Sequence, residues 1–293
     1  MLEHPQQILS WYLAAGVDEA MGEEPLDRYA LAGAAQAERA AKADALLKAA
    51  EAERGQAPTT SPRQRQSGGQ AGGQSNGLAP VRPDEGGVSE EQMKSAVELA
   101  AAAKTVDELR QALESFDGCP LKKSAMNLVF GDGNAQAKIV FVGDVPGEDE
   151  DRQGAPFVGP GGQLLDKMLA SIGLDRTQAY IANTVFWRPP GKRTPYPGEV
   201  AVCLPFVERL IEIIDPALVV CVGGPATHAL LGQQGNVSRL VGQWFTFETP
   251  RMSHPIAATA LHHPDSLLAT PAYKRKAWQN LLAIRKKLDE LTA

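Results

Sequence analysis

Cysteine is scarce in this chain: Cys119, Cys203 and Cys221 are the only three in 293 residues, too few for a disulfide framework. No apolar run approaches the roughly 18 residues that span a bilayer, so no membrane segment is expected. The first residues, Met1-Leu2-Glu3-His4-Pro5, have neither the basic start nor the apolar stretch of a signal peptide, and a cytoplasmic location is expected. A Gly-x-x-x-x-Gly-Lys-Ser/Thr loop is missing. So is a Gly-x-Gly-x-x-Gly opening the first strand–helix unit, which argues against a generic phosphate-binding enzyme such as a nucleotide hydrolase. No internal repeat is visible.

A uniform charge is also missing. Residues 1–115 hold 11 Lys and Arg against 18 Asp and Glu, while residues 116–293 hold 18 against 17. The net charge of −6 therefore belongs to the N-terminal third. The remainder is near neutral and free to carry a local basic face.

The chain divides by texture. Residues 6–21 and the Ala-rich 34–53 read as helices, giving an N-terminal helical extension over 1–54 that could bind a protein partner. Residues 55–88 are rich in Gly, Gln, Ser and Pro, cannot bury enough apolar surface to offset chain entropy, and read as a disordered linker. A helical lead-in over 89–115 is marked by two capping-box signals, Ser89 with Gln92 and Thr105 with Glu108. From 116 to 293 β-branched runs at 138–143, 179–184, 217–222 and 256–261 alternate with helical stretches at 162–172, 198–214, 225–231 and 272–291. That alternation predicts an α/β three-layer sandwich: a central four-stranded parallel sheet flanked by helices. Ligands in such folds gather at the carboxyl ends of the strands, and four motifs fall there.

The first is the turn Gly143-Asp144-Val145-Pro146-Gly147, directly after an apolar strand. Gly143 and Gly147 allow a tight path, Pro146 stiffens it, and Asp144 is placed to hold a water. Four carboxylates, Glu148 to Asp151, follow in succession, as a core would not accept. A polar loop with solvated acids is the plainer reading. The second is Pro156-Phe157-Val158-Gly159-Pro160-Gly161-Gly162, where free N–H groups before a helix suit an anion, and where Phe157 is either core or a platform for a flat ligand. The third is Asn183 with Arg188, Lys192 and Arg193 following. An Asn can read an amide edge and the basic residues suit a phosphodiester backbone; a turn cap and a solvated loop account for them equally well. The fourth is His262-His263-Pro264-Asp265, in which an imidazole can donate to a developing oxyanion or simply sit in a surface turn.

Taken in order and spacing, these blocks resemble the uracil-DNA glycosylase superfamily, and most closely its type 4, iron–sulfur branch. The resemblance covers roughly residues 116–290 and also draws on Tyr180-Ile181-Ala182-Asn183, Arg188 to Pro195, and Lys274 to Trp278. It implies an enzyme that flips uracil out of DNA and cleaves its N-glycosidic bond. By position, Phe157 would stack on the base and Asn183 would read its edge. His263 would stabilise charge on uracil O2, Asp144 would hold or activate water, and Gly143, Pro146 and Gly147 would shape the pocket. Arg188, Lys192 and Arg193 would meet DNA. The alternative is a catalytically weak or inactive DNA-binding relative.

Two departures from the family stand out. Of its four cluster cysteines, Cys119 and Cys203 remain, while Phe116 and Trp187 stand at the other two positions. Two thiolates cannot hold a four-ligand cluster, so no iron–sulfur cluster or other metal is expected; Cys221, inside a strand, reads as a small apolar residue. The usual Gly-Glu-Ala-Pro-Gly turn is Gly143-Asp144-Val145-Pro146-Gly147, with a carboxylate one methylene shorter.

Overall fold

The apolar runs form one sheet because each is buried along its length. In the computed structural model, which describes residues 87–292 except Gln234, strands β2 (Ile139–Gly143), β3 (Tyr180–Asn183), β4 (Leu218–Val222) and β6 (Ile256–Leu261) sit where the sequence predicts them. They are almost wholly buried, as expected of parallel strands covered on both faces. The β3–β2, β2–β4 and β4–β6 pairs are all parallel.

The sheet is not four-stranded, and not purely parallel. Two short edge strands, β1 (Gly131–Gly133) and β5 (Trp244–Phe247), pair antiparallel to β3 and β6, giving a six-stranded mixed sheet in the order β1-β3-β2-β4-β6-β5. Both escaped the sequence pattern for physical reasons. A Gly-Asp-Gly strand has no apolar alternation, and β5 is a short, partly exposed edge.

The helices are α1 (Glu90–Ala102), α2 (Val106–Ser115), α3 (Glu148–Gln153), α4 (Pro160–Ser171), α5 (Pro197–Ile214), α6 (Gly224–Leu231), α7 (Val237–Leu240), α8 (Pro264–Ala269) and α9 (Lys274–Thr292). Among the described residues none is long and apolar enough to cross a membrane. The predicted starts of the lead-in hold. Ser89 and Gln92 form a complete capping box. Thr105 accepts from the Glu108 amide, while the Glu108 carboxylate turns to the amide of Lys104 instead.

One buried cluster takes side chains from α1, α2 and α5 together with one face of the sheet: Ala96, Leu109, Leu113, Phe206, Leu210 and Val140 all belong to it. The lead-in is therefore part of the α/β core, and so is Val88, the last residue of the expected linker. A second cluster, on the opposite face, packs α4 and α9 against Phe141, Ile181 and Val220. The expected extension over 1–54 and all but the last two residues of the linker lie outside the described residues.

Candidate functional site

At the carboxyl ends of β2, β3 and β6, loops enclose a cavity of about 730 Å³. Asp144, Phe157, Asn183 and His263 all line it, with Pro146, Gly147, Arg188, Lys192 and Arg193. The topology brings them together. Parallel strands carry their following loops to one edge of the sheet, so motifs up to 120 residues apart in sequence meet.

Gly143 and Asn183 are register partners at the ends of β2 and β3. A Cβ on Gly143 would stand 2.5 Å from Phe157 Cζ and 2.6 Å from Asn183 Oδ1. The glycine is thus required by close approach: it lets the Phe157 ring and the Asn183 amide reach one floor. Asn183 is 2% exposed. The next turn is stitched to β3, with Thr184 Oγ1 and the Val185 amide both donating to the Asp144 carbonyl at 2.8 and 3.1 Å. Asp144 lines the cavity, and burial raises its pKa from 3.8 to about 6.

His263 caps the N-terminus of α8. Its Nδ1 accepts the Asp265 amide at 3.3 Å. A backbone amide only donates, so Nδ1 carries no proton and the neutral ring bears its hydrogen on Nε2. Burial holds the imidazole below its ordinary pKa, against the opposing pull of Asp265 and Glu150. The ring lies 5.6 Å from that of Phe157, tilted by 30°, with the Asp265 carboxylate 3.6 Å from Nδ1. His262 points elsewhere: it is buried and stacks on Tyr273 at 5.0 Å.

Phe157 is both core and cavity wall. It is buried within the second cluster yet lines the cavity. Its φ of +53° is left-handed, which costs a residue with a Cβ roughly 1–2 kcal/mol. The free amides expected before α4 already have an anion of the protein's own. Glu150 accepts from Val158 and Gly159, both at 2.9 Å. The acid run is not uniformly solvated either. Asp151 is 3% exposed, because its carboxylate accepts the amides of Met126 and Asn127 at 2.8 and 3.3 Å; a buried carboxylate is tolerated when hydrogen-bonded.

The three basic residues differ. Arg188 leans on the acid helix, 3.4 Å from Glu148 and 3.9 Å from Asp151. Arg193 is held bidentately by buried Glu199 at 2.6 and 2.8 Å, with its cation over the Tyr196 ring. Lys192 lies on the cavity rim.

Phe116, Cys119, Trp187 and Cys203 all belong to the first buried cluster. Phe116 packs on Phe206 at 5.3 Å, and Trp187 meets Phe186 edge-on at 6.3 Å. Cys203 is pushed well above the ordinary thiol range by burial. Its hydrogen bond to Cys119 holds that thiol below its ordinary value. Two hydrogen-bonded thiols and two packed aromatic rings do not offer the donor set of a four-thiolate cluster. Cys221 is buried in β4, its pKa pushed up to about 12 by burial.

An aromatic ring, a buried amide, an imidazole and a desolvated carboxylate thus line one cavity at the strand ends of an α/β protein. The chain belongs to the uracil DNA glycosylase superfamily, whose family model matches residues 130–282. It is 37% identical over 192 residues to a type-4 uracil-DNA glycosylase of Archaeoglobus fulgidus, covering 64% of this chain and 94% of that one. The Thermotoga maritima type-4 enzyme is 43% identical over 133 residues, 45% of this chain and 69% of its own. That of Sulfurisphaera tokodaii is 32% identical over 186 residues, 62% and 84%.

Three participants were not singled out by the motifs. Glu150 lay in the acid run without a role of its own. Gly223 packs behind His263, where an added Cβ would stand 3.4 Å from His263 Cβ. Arg176 belongs to none of the motif blocks, and its only sequence signal is a lone cation just before β3.

Proposed function

We propose that this protein is a monofunctional uracil-DNA glycosylase that works without an iron–sulfur cluster. The observation that carries the reading is the pairing, across one cavity, of a desolvated Asp144 carboxylate with a His263 whose proton is confined to Nε2. Cleavage breaks the bond between C1′ and the base nitrogen, and its electron pair passes to the uracil ring. Nε2–H of His263 donates to the charge that collects on uracil O2. Asp144 holds a water against the sugar, steadies its developing positive charge, and accepts the water's proton as oxygen bonds to C1′. The products are free uracil and an abasic site, with no strand scission.

Phe157 supplies the stacking face. The Asn183 amide both donates and accepts, as the uracil edge requires; cytosine presents the opposite pattern at its amino-bearing carbon and leaves buried groups unpaired. Lys192 on the rim is the cation offered to the phosphodiester backbone, while Arg188 and Arg193 stand in ion pairs with Glu148 and Glu199. An abasic product calls for a strand-cleaving and resynthesis step afterwards, the place of such an enzyme in base-excision repair.

The test is uracil release from a labelled single-stranded oligonucleotide, with alkali cleavage at the abasic product. Release supports the reading. An intact strand, with uracil-containing DNA still bound, would instead mark a non-catalytic relative, and the shorter Asp144 would be the first suspect.

The pH profile follows from the site. Asp144 must be ionised to take a proton, and its pKa is about 6. Single-turnover rate should rise with pH, reach half its plateau near that value, and stay level through neutrality. Protonating His263 keeps its Nε2–H donor, so the step in the profile reports Asp144. A rate that is flat down to pH 4.5 would remove Asp144 from the proton transfer.

A further inference from the structure

Phe157 does not hold its own conformation. It is one of three non-glycine residues with positive φ among the described residues, and the groups on both sides of its peptide are engaged by opposite charges. On the carbonyl side stands Arg176, between α4 and β3. Its guanidinium donates to the carbonyls of Pro156, at 3.1 Å, and of Phe157 itself. The same fork is anchored by Asp132 of β1 and Asp166 of α4, both at 2.9 Å. On the amide side the Glu150 carboxylate takes the next two N–H groups, of Val158 and Gly159. Behind the loop, a Cβ on Gly162 would stand 1.7 Å from the Phe157 carbonyl oxygen, so the first turn of α4 presses directly on this peptide.

A planar guanidinium anchored by two carboxylates is a rigid object, unlike a lysine ammonium on a flexible stem. It reaches the Phe157 loop from a segment that contributes no lining residue to the cavity.

We propose that Arg176 and Glu150 are positioning residues for base recognition: together they clamp the Phe157 peptide in its left-handed conformation and so fix the ring on which the base stacks. The inference rests on the glycosylase reading and names what preorganises its platform. Released from the clamp, Phe157 relaxes to an ordinary backbone conformation and its ring leaves the floor it shares with Asn183. A misplacement of about 1 Å in a reacting assembly can cost roughly 100-fold in rate, with no catalytic group altered.

The experiment compares Arg176→Met, which keeps the apolar stem and loses the fork, with wild type on two single strands. One carries a non-hydrolysable 2′-fluoro-deoxyuridine, the other a tetrahydrofuran abasic analogue at the same position. The clamp predicts roughly tenfold weaker binding of the fluoro-uridine strand, within the worth of one base–aromatic stack, with binding of the abasic strand unchanged. Arg176→Lys, which keeps charge but cannot fork, should recover only part of the loss. A role confined to structure would weaken both strands alike; that result, or no loss on either, overturns the clamp while wild type's own preference for the uridine strand leaves the glycosylase reading standing. Wild type without that preference overturns both. Should Arg176→Met fail to fold, Glu150→Met puts the same question from the amide side: it removes the one oxygen that both amides share and is expected to give the same selective loss.

Discussion

His263→Ala lowers the single-turnover rate of uracil release by about 10²–10³, the worth of one preorganised oxyanion donor, and leaves binding of uracil-containing DNA within a few-fold of wild type. Asp144→Asn lowers it by about 10²–10⁴, the range of a positioned general base. The two should not add, since both act on one transition state and removing either leaves the other with little to stabilise. The carboxylate variant has a second signature. Burial raises the pKa of Asp144 to about 6 from an ordinary 3.8. Its contribution to folding is therefore fully present below pH 4 and lost as pH rises through 6. Above that, ionised Asp144 costs the fold on the order of 3 kcal/mol, at about 1.4 kcal/mol per pKa unit. Asp144→Asn removes that cost, so at pH 7.5 it should melt several degrees higher than wild type while being far slower. Slow and more stable together mark a residue kept for chemistry at the expense of stability. A variant that retained the wild-type rate would show that the carboxylate is not in the reaction, and one that melted lower would show that its burial is not the source of its raised pKa.

Trp187→Ala has the largest expected effect on stability. The indole is 2% exposed and packed edge-on to Phe186. Truncating a buried aromatic costs about 3–5 kcal/mol, and in a domain of this size that lowers the melting temperature by roughly 10 °C or more. Phe116→Ala, against Phe206, should behave alike. The comparison that matters is with chelation. If Phe116 and Trp187 hold this region by packing, an iron chelator leaves the melting curve of the wild-type protein where it was, and the purified protein is colourless. Broad visible absorbance with about four irons per chain would refute the cluster-free reading, because a cluster of that kind needs four thiolates and Cys119 and Cys203 supply two.

The four central strands could be read from the sequence because a strand covered on both faces is a continuous β-branched run, and turns bound each one. The edge strands could not. Gly131–Gly133 is held by its pairing with Tyr180–Ala182 and has no side-chain pattern to betray it. Helix α3 was missed for a similar reason: Glu148–Gln153 has no apolar period, only acids that suit a helix N-terminus. The expectation that four successive carboxylates must be solvated overlooked local hydrogen bonding, since two backbone amides suffice to bury Asp151.

At the site, the sequence by itself determined which chemical groups are available and that they meet. Asp144, Phe157, Asn183 and His263 each follow or end a strand, and a parallel sheet delivers all such positions to one edge. The resemblance implies as well that Phe116 and Trp187 stand where two cluster cysteines would, leaving Cys119 and Cys203. What only the tertiary structure decided is the state of those groups. The raised pKa of Asp144 comes from the solvent that its neighbours exclude. The Nε2 proton of His263 follows from an amide that reaches Nδ1 only once α8 has formed. The left-handed Phe157 is held by an arginine 19 residues further along the chain. A residue's identity is local, whereas its dielectric surroundings, tautomer and backbone strain are set by atoms distant in sequence and near in space.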